Sequence, residues 1–270
     1  DSQGFFFRPG TKIFFSAMYS IFWLNQVVYH IVSLSLHFIV SVLFFFLARK
    51  IFKNTILAGL GALLFLLMSG YQEAVFWISS IGYLFNAAFA LLAILSFRLW
   101  DEKKKAIYYI ATIFFISSGF LFHEVGVVTP LLILAYKISE DGFEAVRKSV
   151  KKTYLFLFAP VLVYLLIRLV SGSHWFSGDY SYNLIKLPFN VLGNIIGYLL
   201  LMVLGPSSFP IYSALRIGLR DNLLLAIILV PLILAGAYFA YRFVPKFLSS
   251  EEKRVALFGL LFFHSNFVIN

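Results

Sequence analysis

The sequence contains no cysteine and few charged side chains, and both deficits narrow what the protein can be. Without cysteine, disulfides, thiolate catalysis and cysteine-ligated zinc are excluded. Only 13% of the 270 residues are Asp, Glu, Lys or Arg, whereas a soluble domain carries about a quarter. Hydrophobic residues make up 61% of the chain, and its mean hydropathy is +0.91. This composition excludes a soluble enzyme, a disordered protein and a nucleic-acid binder, and it indicates that the solvent is a lipid bilayer.

Long apolar runs predict helices, because a backbone inside lipid must satisfy its own hydrogen bonds. The runs lack the period of two that membrane barrels show. Several are shorter than the about 20 residues of a full span, and we expect flanking aromatic residues to complete them at the interfaces. We therefore expect an all-α transmembrane bundle of about eight spans plus one re-entrant or interfacial helix. The runs are Gln26–Leu47, Asn54–Met68, Tyr83–Leu99, Ala106–Phe122, Val125–Ile138, Tyr154–Val170, Asn190–Leu204, Leu223–Tyr241 and Val255 onward.

The chain is expected to be one membrane domain, 1–270, and a fragment of a longer protein. It begins at Asp1 rather than Met, and the run from Val255 stops before it could cross a bilayer. We expect these parts in order: an external interfacial segment (1–25), a six-helix core (26–170), an external region (171–222) and C-terminal helices (223–270).

Lysine and arginine predict the orientation of the bundle. They account for the net charge of +10, and most of them fall into four clusters. Basic loops lie on the cytoplasmic side of membrane proteins. All four clusters lie inside if Asn190–Leu204 is re-entrant or interfacial, which is the interpretation we favour; the last one lies outside if that run spans. The clusters are Arg49–Lys53, Arg98–Lys105, Lys137–Lys152 and Arg242–Arg254.

The acidic and basic residues of the opposite, external face are the candidates for chemistry, because ionisable groups near hydrocarbon are costly and usually mark function. His123 and Glu124 interrupt two apolar runs at a tight turn. Glu124 either caps the next helix or forms, with His123, an acid/base or phosphate site. For Glu73 a helix cap and a site role are equally open.

Two histidines share one face of the first long run. His30 and His37 are seven positions apart, with Ser33 and Ser41 nearby. Hydrogen bonding between helices is favoured over metal ligation for this pair. No hydrolase motif and no glycine-rich phosphate loop is present in the sequence.

Four motifs in order resemble one family. They are Phe6-Phe7-Arg8-Pro9, Tyr29 to His37, Gln72 to Ser79 and His123 to Leu132, and the resemblance covers most of Gly4–Ser213. These motifs are similar to those of polytopic glycosyltransferases of the GT-C superfamily, in the branch near the protein O-mannosyltransferases. The sequence departs from that branch at Ser69-Gly70-Tyr71, where a His-Pro pair is usual, and at His123, where lysine is common.

The resemblance implies transfer of a sugar from a polyprenyl-phosphate carrier to an acceptor glycan, protein or lipid at the external or lumenal membrane face. The cofactor stays open, with a divalent metal among the alternatives, and nucleic acid is excluded as a partner. We expect a multi-pass integral membrane protein of a prokaryotic plasma membrane. A transporter or lipid flippase and a non-catalytic membrane subunit are the alternative functions. The candidate catalytic residues are Glu124, Glu73 and Asp1, and the candidate substrate-binding residues are Arg8, His123, Arg168, His30 and Asp179.

Overall fold

The computed structural model describes only part of the chain. The described residues are 8–68, 72–142, 144, 146, 152–170, 193, 197, 209–221, 228, 231, 232, 235, 236 and 238. Every regular element among them is helical and none is a strand, so the prediction of an all-α chain is confirmed. The described residues belong to two compact units, one made of 8–67, 72–146 and 152–170 and the other of residue 68 and the positions from 193 onward.

The first unit contains nine α-helices within the described ranges. Two short 3₁₀ helices, Ile78–Ser80 and Glu124–Val128, precede α5 and α7. The second unit contains α10 (Phe209–Asp221), which falls in the region predicted to be external. The helices of the first unit are α1 (Pro9–Phe22), α2 (Gln26–Phe52), α3 (Thr55–Leu67), α4 (Gln72–Phe76), α5 (Ile81–Lys103), α6 (Ala106–Phe122), α7 (Thr129–Asp141), α8 (Lys152–Leu157) and α9 (Ala159–Val170).

Two predicted helices are broken, and a proline accounts for each break. The run predicted as Val125–Ile138 begins as a 3₁₀ helix and becomes α-helical only at Thr129, one residue before Pro130. The run predicted as Tyr154–Val170 divides at residue 158, two positions before Pro160. Proline lacks an N–H and its ring collides with the preceding turn, so it fits the start of a helix and not its interior. Each run therefore contains a helix start that hydropathy alone does not reveal.

Helix α5 lies at the centre of the first unit, where it contacts α2, α6 and α7. Phe97 and Ile94 of α5 are fully buried, together with Leu47 of α2, Ile116 of α6 and Ile133 of α7. Helices α2, α5, α6 and α7 are thus held by one shared core.

A polar stripe on α2 binds the ends of two other helices. The hydroxyl of Ser33 donates to the carbonyl of Val75 in α4 (2.6 Å), and Nε2 of His37 is 3.1 Å from the carbonyl of Leu66 in α3. Carbonyls in the last turn of a helix lack partners within that helix. The prediction that His37 makes a hydrogen bond between helices is confirmed.

Two helical segments of the described residues, Gln26–Phe52 and Ile78–Lys103, are long and apolar enough to cross a membrane. The segments Thr55–Leu67, Ala106–Phe122 and Tyr154–Val170 are apolar but shorter. These helices agree with an association with membranes, while the predicted number of spans stays a prediction. The predicted runs at 190–204, 223–241 and 255–270 lie outside the described residues except for single helical positions such as Gly193 and Ile228.

Candidate functional site

The candidate site is built around the C-terminal end of α6, where two glycines let other helices approach closely. A Cβ atom on Gly82 of α5 would lie 2.7 Å from the carbonyl oxygen of Phe122, and one on Gly10 of α1 would lie 2.8 Å from that of Leu121. The hydroxyl of Thr11 donates to the same Phe122 carbonyl at 2.9 Å. The start of α1 and the start of α5 therefore both rest on the end of α6.

His123 makes the turn that follows α6. Its backbone N–H donates to the carbonyl of Gly119, and its own carbonyl accepts from the N–H of Gly126. Its Nδ1 accepts a hydrogen bond from the backbone N–H of Val125 at 3.2 Å. The cap of the 3₁₀ helix is therefore His123, while the carboxylate of Glu124 lies in the first turn and accepts a hydrogen bond from its own backbone N–H.

That carboxylate forms a two-pronged ion pair with Arg8, the residue that precedes α1. Nε of Arg8 is 2.7 Å from one carboxylate oxygen and Nη2 is 2.6 Å from the other. The two side chains are 25% and 23% exposed. Paired N–H groups of a guanidinium match the two oxygens of a carboxylate, and such charged bonds are stronger than neutral ones. The pair joins two parts of the chain 116 positions apart.

The ion pair shifts the pKa of each partner in the direction that favours its charged form. Burial alone would raise the pKa of Glu124, but the hydrogen bond from Arg8 and the nearby charges outweigh it, so the pKa lies below its ordinary value. Burial alone would lower the pKa of Arg8, but the hydrogen bond and charge of Glu124 raise it above its ordinary value. Both groups are therefore ionised at neutral pH.

The imidazole of His123 is a neutral hydrogen-bond donor beside this pair. The residue is only 2% exposed, and the ring of Tyr83 lies against it with 3.8 Å between the ring centroids. Burial lowers the pKa of His123 to about 4; the charge of Glu124 opposes this shift and that of Arg8 adds to it. Because Nδ1 accepts from Val125, the proton is on Nε2, which has no hydrogen-bond partner among the described residues. At neutral pH His123 thus carries one buried N–H and no positive charge.

Helix α9 brings a second guanidinium toward the site. Tyr164 is buried and its ring stacks on Phe120 of α6, with 5.0 Å between centroids. Its hydroxyl interacts electrostatically with Arg8, Glu124 and Arg168. Tyr164 and Arg168 are four positions apart and share one helix face, which is the pattern from which Tyr164 could have been predicted. Tyr83, which also belongs to the site, carries no such pattern.

The contacts described for this cluster do not include the remaining predicted site residues. His30 is a half-buried residue of α2, and Glu73 is the second residue of α4, with only its backbone position described. Asp1 and Asp179 lie outside the described residues. No group of three or more His, Asp or Glu side chains that could hold a metal ion occurs in the part of the chain that the structure describes.

A second charged cluster lies at the opposite end of α5. Lys137 of α7 is only 6% exposed, and its ammonium donates to Asp101 of α5 and, at 2.7 Å, pairs with Asp141. Asp101 and Tyr83 are 18 positions apart on α5, which is about 27 Å at about 1.5 Å per residue. The two polar clusters are therefore separated by nearly the thickness of a hydrocarbon core, about 30 Å.

Comparison of the chain with protein-family models, with curated proteins and with solved structures finds no match. The site that the described residues form is a paired guanidinium and carboxylate beside a buried imidazole at one end of a helical bundle.

Proposed function

We propose that the protein is a membrane-embedded glycosyltransferase that moves a sugar from a polyprenyl-phosphate carrier to an acceptor hydroxyl at the external membrane face. The observation that carries this proposal is the meeting of Arg8 and Glu124 at one end of the bundle, with Arg168 nearby. A guanidinium suits the carrier phosphate, and a carboxylate suits the proton of the acceptor. The order of the sequence motifs supports the same assignment.

The proposal places the described helices among about eight spans in the plasma membrane of a prokaryote. Large apolar side chains are exposed along α2, α3, α6 and α9, as at Phe38, Leu64, Phe114 and Leu166. An apolar surface this extensive suits contact with lipid rather than water. The separation of about 27 Å between the two polar clusters of α5 supports one cluster at each interface. By the positive-inside rule the Lys137 cluster is cytoplasmic and the Arg8–Glu124 pair is external.

In the proposed reaction the acceptor oxygen forms a bond to the anomeric carbon of the sugar. The bond between that carbon and the phosphate oxygen breaks, and the carrier phosphate leaves with the electron pair. Arg8 and Arg168 stabilise the negative charge of the phosphate as it separates. The hydroxyl proton passes to the carboxylate of Glu124. The buried ring of His123, held by Tyr83, keeps the turn that presents Glu124 in place.

The test is sugar transfer from a polyprenyl-phosphate donor by the membrane-reconstituted protein carrying Glu124→Gln. Glutamine keeps the shape of the side chain but cannot take the proton, so we expect turnover to fall by about two orders of magnitude or more. The melting temperature in detergent shows whether folding is intact. Glu102→Gln is the matched control, because it removes the carboxylate of the Arg98–Glu102 pair near the opposite end of α5.

A non-catalytic membrane subunit is the second candidate, and the saturation of the Arg8 and Glu124 charges by each other favours it. An ion pair whose partners are both satisfied can simply hold α1 on the bundle. In that case Glu124→Gln leaves the activity of the assembly near normal and changes only the melting temperature. Such a result would remove the catalytic assignment. The transporter alternative has less support, because the charged residues of α5 lie only in its last two turns, from Arg98 to Lys103.

A further inference from the structure

We infer that the Arg8–Glu124 pair is a latch that a phosphate group opens: the phosphate replaces the Glu124 carboxylate on the Arg8 guanidinium, and the released carboxylate becomes the proton acceptor of the site. This inference rests on the proposed function and adds an order of events to it. The base becomes competent only after the donor phosphate has arrived.

The exchange is chemically balanced, since one oxyanion takes the place of another. The Nε and Nη2 groups of Arg8 hold the two oxygens of Glu124 at 2.7 and 2.6 Å, and the same fork matches two oxygens of a phosphate. Both side chains are about a quarter exposed, so a ligand can reach them from the surface. The guanidinium keeps an anionic partner throughout and is never left desolvated without one.

Helix α1 does not have to leave the bundle for the exchange to occur. The hydroxyl of Thr11 holds the carbonyl of Phe122, and Gly10 lies close against Leu121. The ring of Phe14 packs edge-on against that of Phe85 in α5, with 5.3 Å between centroids. None of these contacts uses the guanidinium of Arg8, so the side chain can turn to a new partner while the helix stays in place.

The released carboxylate becomes a better base because it stays buried while it loses the hydrogen bond from Arg8. Burial penalises the charged form of Glu124, and the hydrogen bond from Arg8 is the largest influence that opposes this penalty. The groups around the carboxylate also include its own backbone N–H, the neutral imidazole of His123 and the hydroxyl of Tyr164. Arg168 interacts with that hydroxyl, and Tyr83 lies behind the imidazole. Once the Arg8 hydrogen bond passes to phosphate, burial dominates and the proton affinity of the carboxylate rises. Before that exchange, the paired carboxylate is a poor base toward water or an acceptor.

The experiment measures phosphate binding rather than turnover. The whole chain is reconstituted in phosphatidylcholine nanodiscs and titrated with a short-chain polyprenyl phosphate and, separately, with inorganic phosphate. Because Glu124 competes with the ligand for Arg8, Glu124→Gln should bind more tightly than wild type. We expect a tightening of about 2- to 150-fold, which is the coupling of about 0.5–3 kcal/mol between partners in contact converted at tenfold per 1.4 kcal/mol. Glu102→Gln adds the same unit of charge near the far end of α5 and should bind like wild type.

Two further variants keep the test informative if Glu124→Gln folds poorly. Glu124→Asp retains the charge but shortens the side chain by one methylene, so it weakens the pair and should give an intermediate affinity. In a protein that also carries Arg8→Gln, neither Glu124→Gln nor Glu124→Asp should tighten phosphate binding, because the guanidinium for which carboxylate and ligand compete is absent. Tightening with both ligands would assign the latch to the phosphate group alone, whereas tightening only with the polyprenyl phosphate would assign it to the carrier lipid.

Failure of the latch and failure of the proposed function give different results. If wild type binds the carrier phosphate and transfers sugar while Glu124→Gln binds with unchanged or weaker affinity, the latch is wrong and the function stands. If wild type binds neither phosphate, both are wrong.

Discussion

Arg8 and Glu124 face each other with two parallel hydrogen bonds, at 2.6 and 2.7 Å, across 116 positions of sequence. The contact joins the start of the N-terminal helix α1 to the turn after α6. Because both side chains are three-quarters buried, the pair is screened less by water than the exposed ion pairs of helix surfaces. It therefore bears on stability as well as on chemistry.

A double-mutant cycle on this pair should show a coupling of about 1–3 kcal/mol, as expected of partners in contact. The variants are Arg8→Gln, Glu124→Gln and the two together, with the free energy of unfolding in detergent as the measurement. The Arg98–Glu102 pair is the matched control: Glu102 is 48% exposed and the two residues lie one helical turn apart. Such pairs contribute about 0.3–0.5 kcal/mol. Equal coupling for the two pairs would contradict the expectation that the partly buried pair contributes more to stability than the exposed pair.

The buried imidazole of His123 predicts a loss of stability in mild acid. Its pKa is about 4 in the folded protein and about 6.5 in the unfolded chain, so the unfolded state binds more protons between those values. The free energy of unfolding should therefore be largest above pH 6.5 and fall as the pH drops toward 4, by up to about 3 kcal/mol in total. Further loss below about pH 4.5 belongs to Glu124, whose pKa in the folded protein is lowered.

The measurement is chemical unfolding at a series of pH values for wild type and His123→Gln. Glutamine can accept the Val125 N–H but does not titrate, so its curve should be flatter between pH 6.5 and 4. A wild-type slope in His123→Gln would show that another group titrates in this range.

The close approach of α5 to α6 predicts that Gly82 cannot be enlarged. A Cβ there would lie 2.7 Å from a backbone oxygen of Phe122, and a backbone atom cannot move aside as a flexible side chain can. Gly82→Ala should cost about 1–3 kcal/mol and displace the His123–Glu124 turn. Gly59 of α3 is the control, since its Cβ would meet nothing within 4 Å, and Ala there should be neutral or stabilising by up to about 1 kcal/mol. Melting temperatures of the two variants compare them directly, and equal values would contradict the packing described for α6.

The orientation of α5 can be measured directly because the chain has no cysteine of its own. Ser79→Cys places a thiol at an exposed position just before α5, and Lys105→Cys places one in the exposed connection that follows it. We expect a membrane-impermeant maleimide to label position 79 in intact cells and position 105 only after permeabilisation. Labelling of both positions from outside would show that α5 does not span, and the reverse pattern would overturn the orientation.

The extent to which the structure could be predicted differs between helices and contacts. The bounds of α6 agree with the prediction at both ends, because charged or polar residues flank a continuous apolar run there. Hydropathy did not predict the helix breaks before Pro130 and Pro160, although a proline in the sequence indicates that a helix starts or ends near it. Helix α10 was not predicted either. The placement of lysine and arginine assigns residues 171–222 to an external region, and it does not indicate a helix there.

The sequence by itself determined that the chain is helical and apolar in composition, with its charged residues mainly between the apolar runs. These properties are local: a helix needs only hydrogen bonds between residues four apart, and hydropathy is a sum over neighbours. Only the tertiary structure decided that Glu124 meets Arg8, that His123 rather than Glu124 caps the turn, and that Tyr83 and Tyr164 complete the site. Those relationships depend on how closely the starts of α1 and α5 approach the end of α6, which Gly10 and Gly82 permit. Packing distance between helices has no periodicity along a chain, so hydropathy and spacing could name the candidate residues but not their partners.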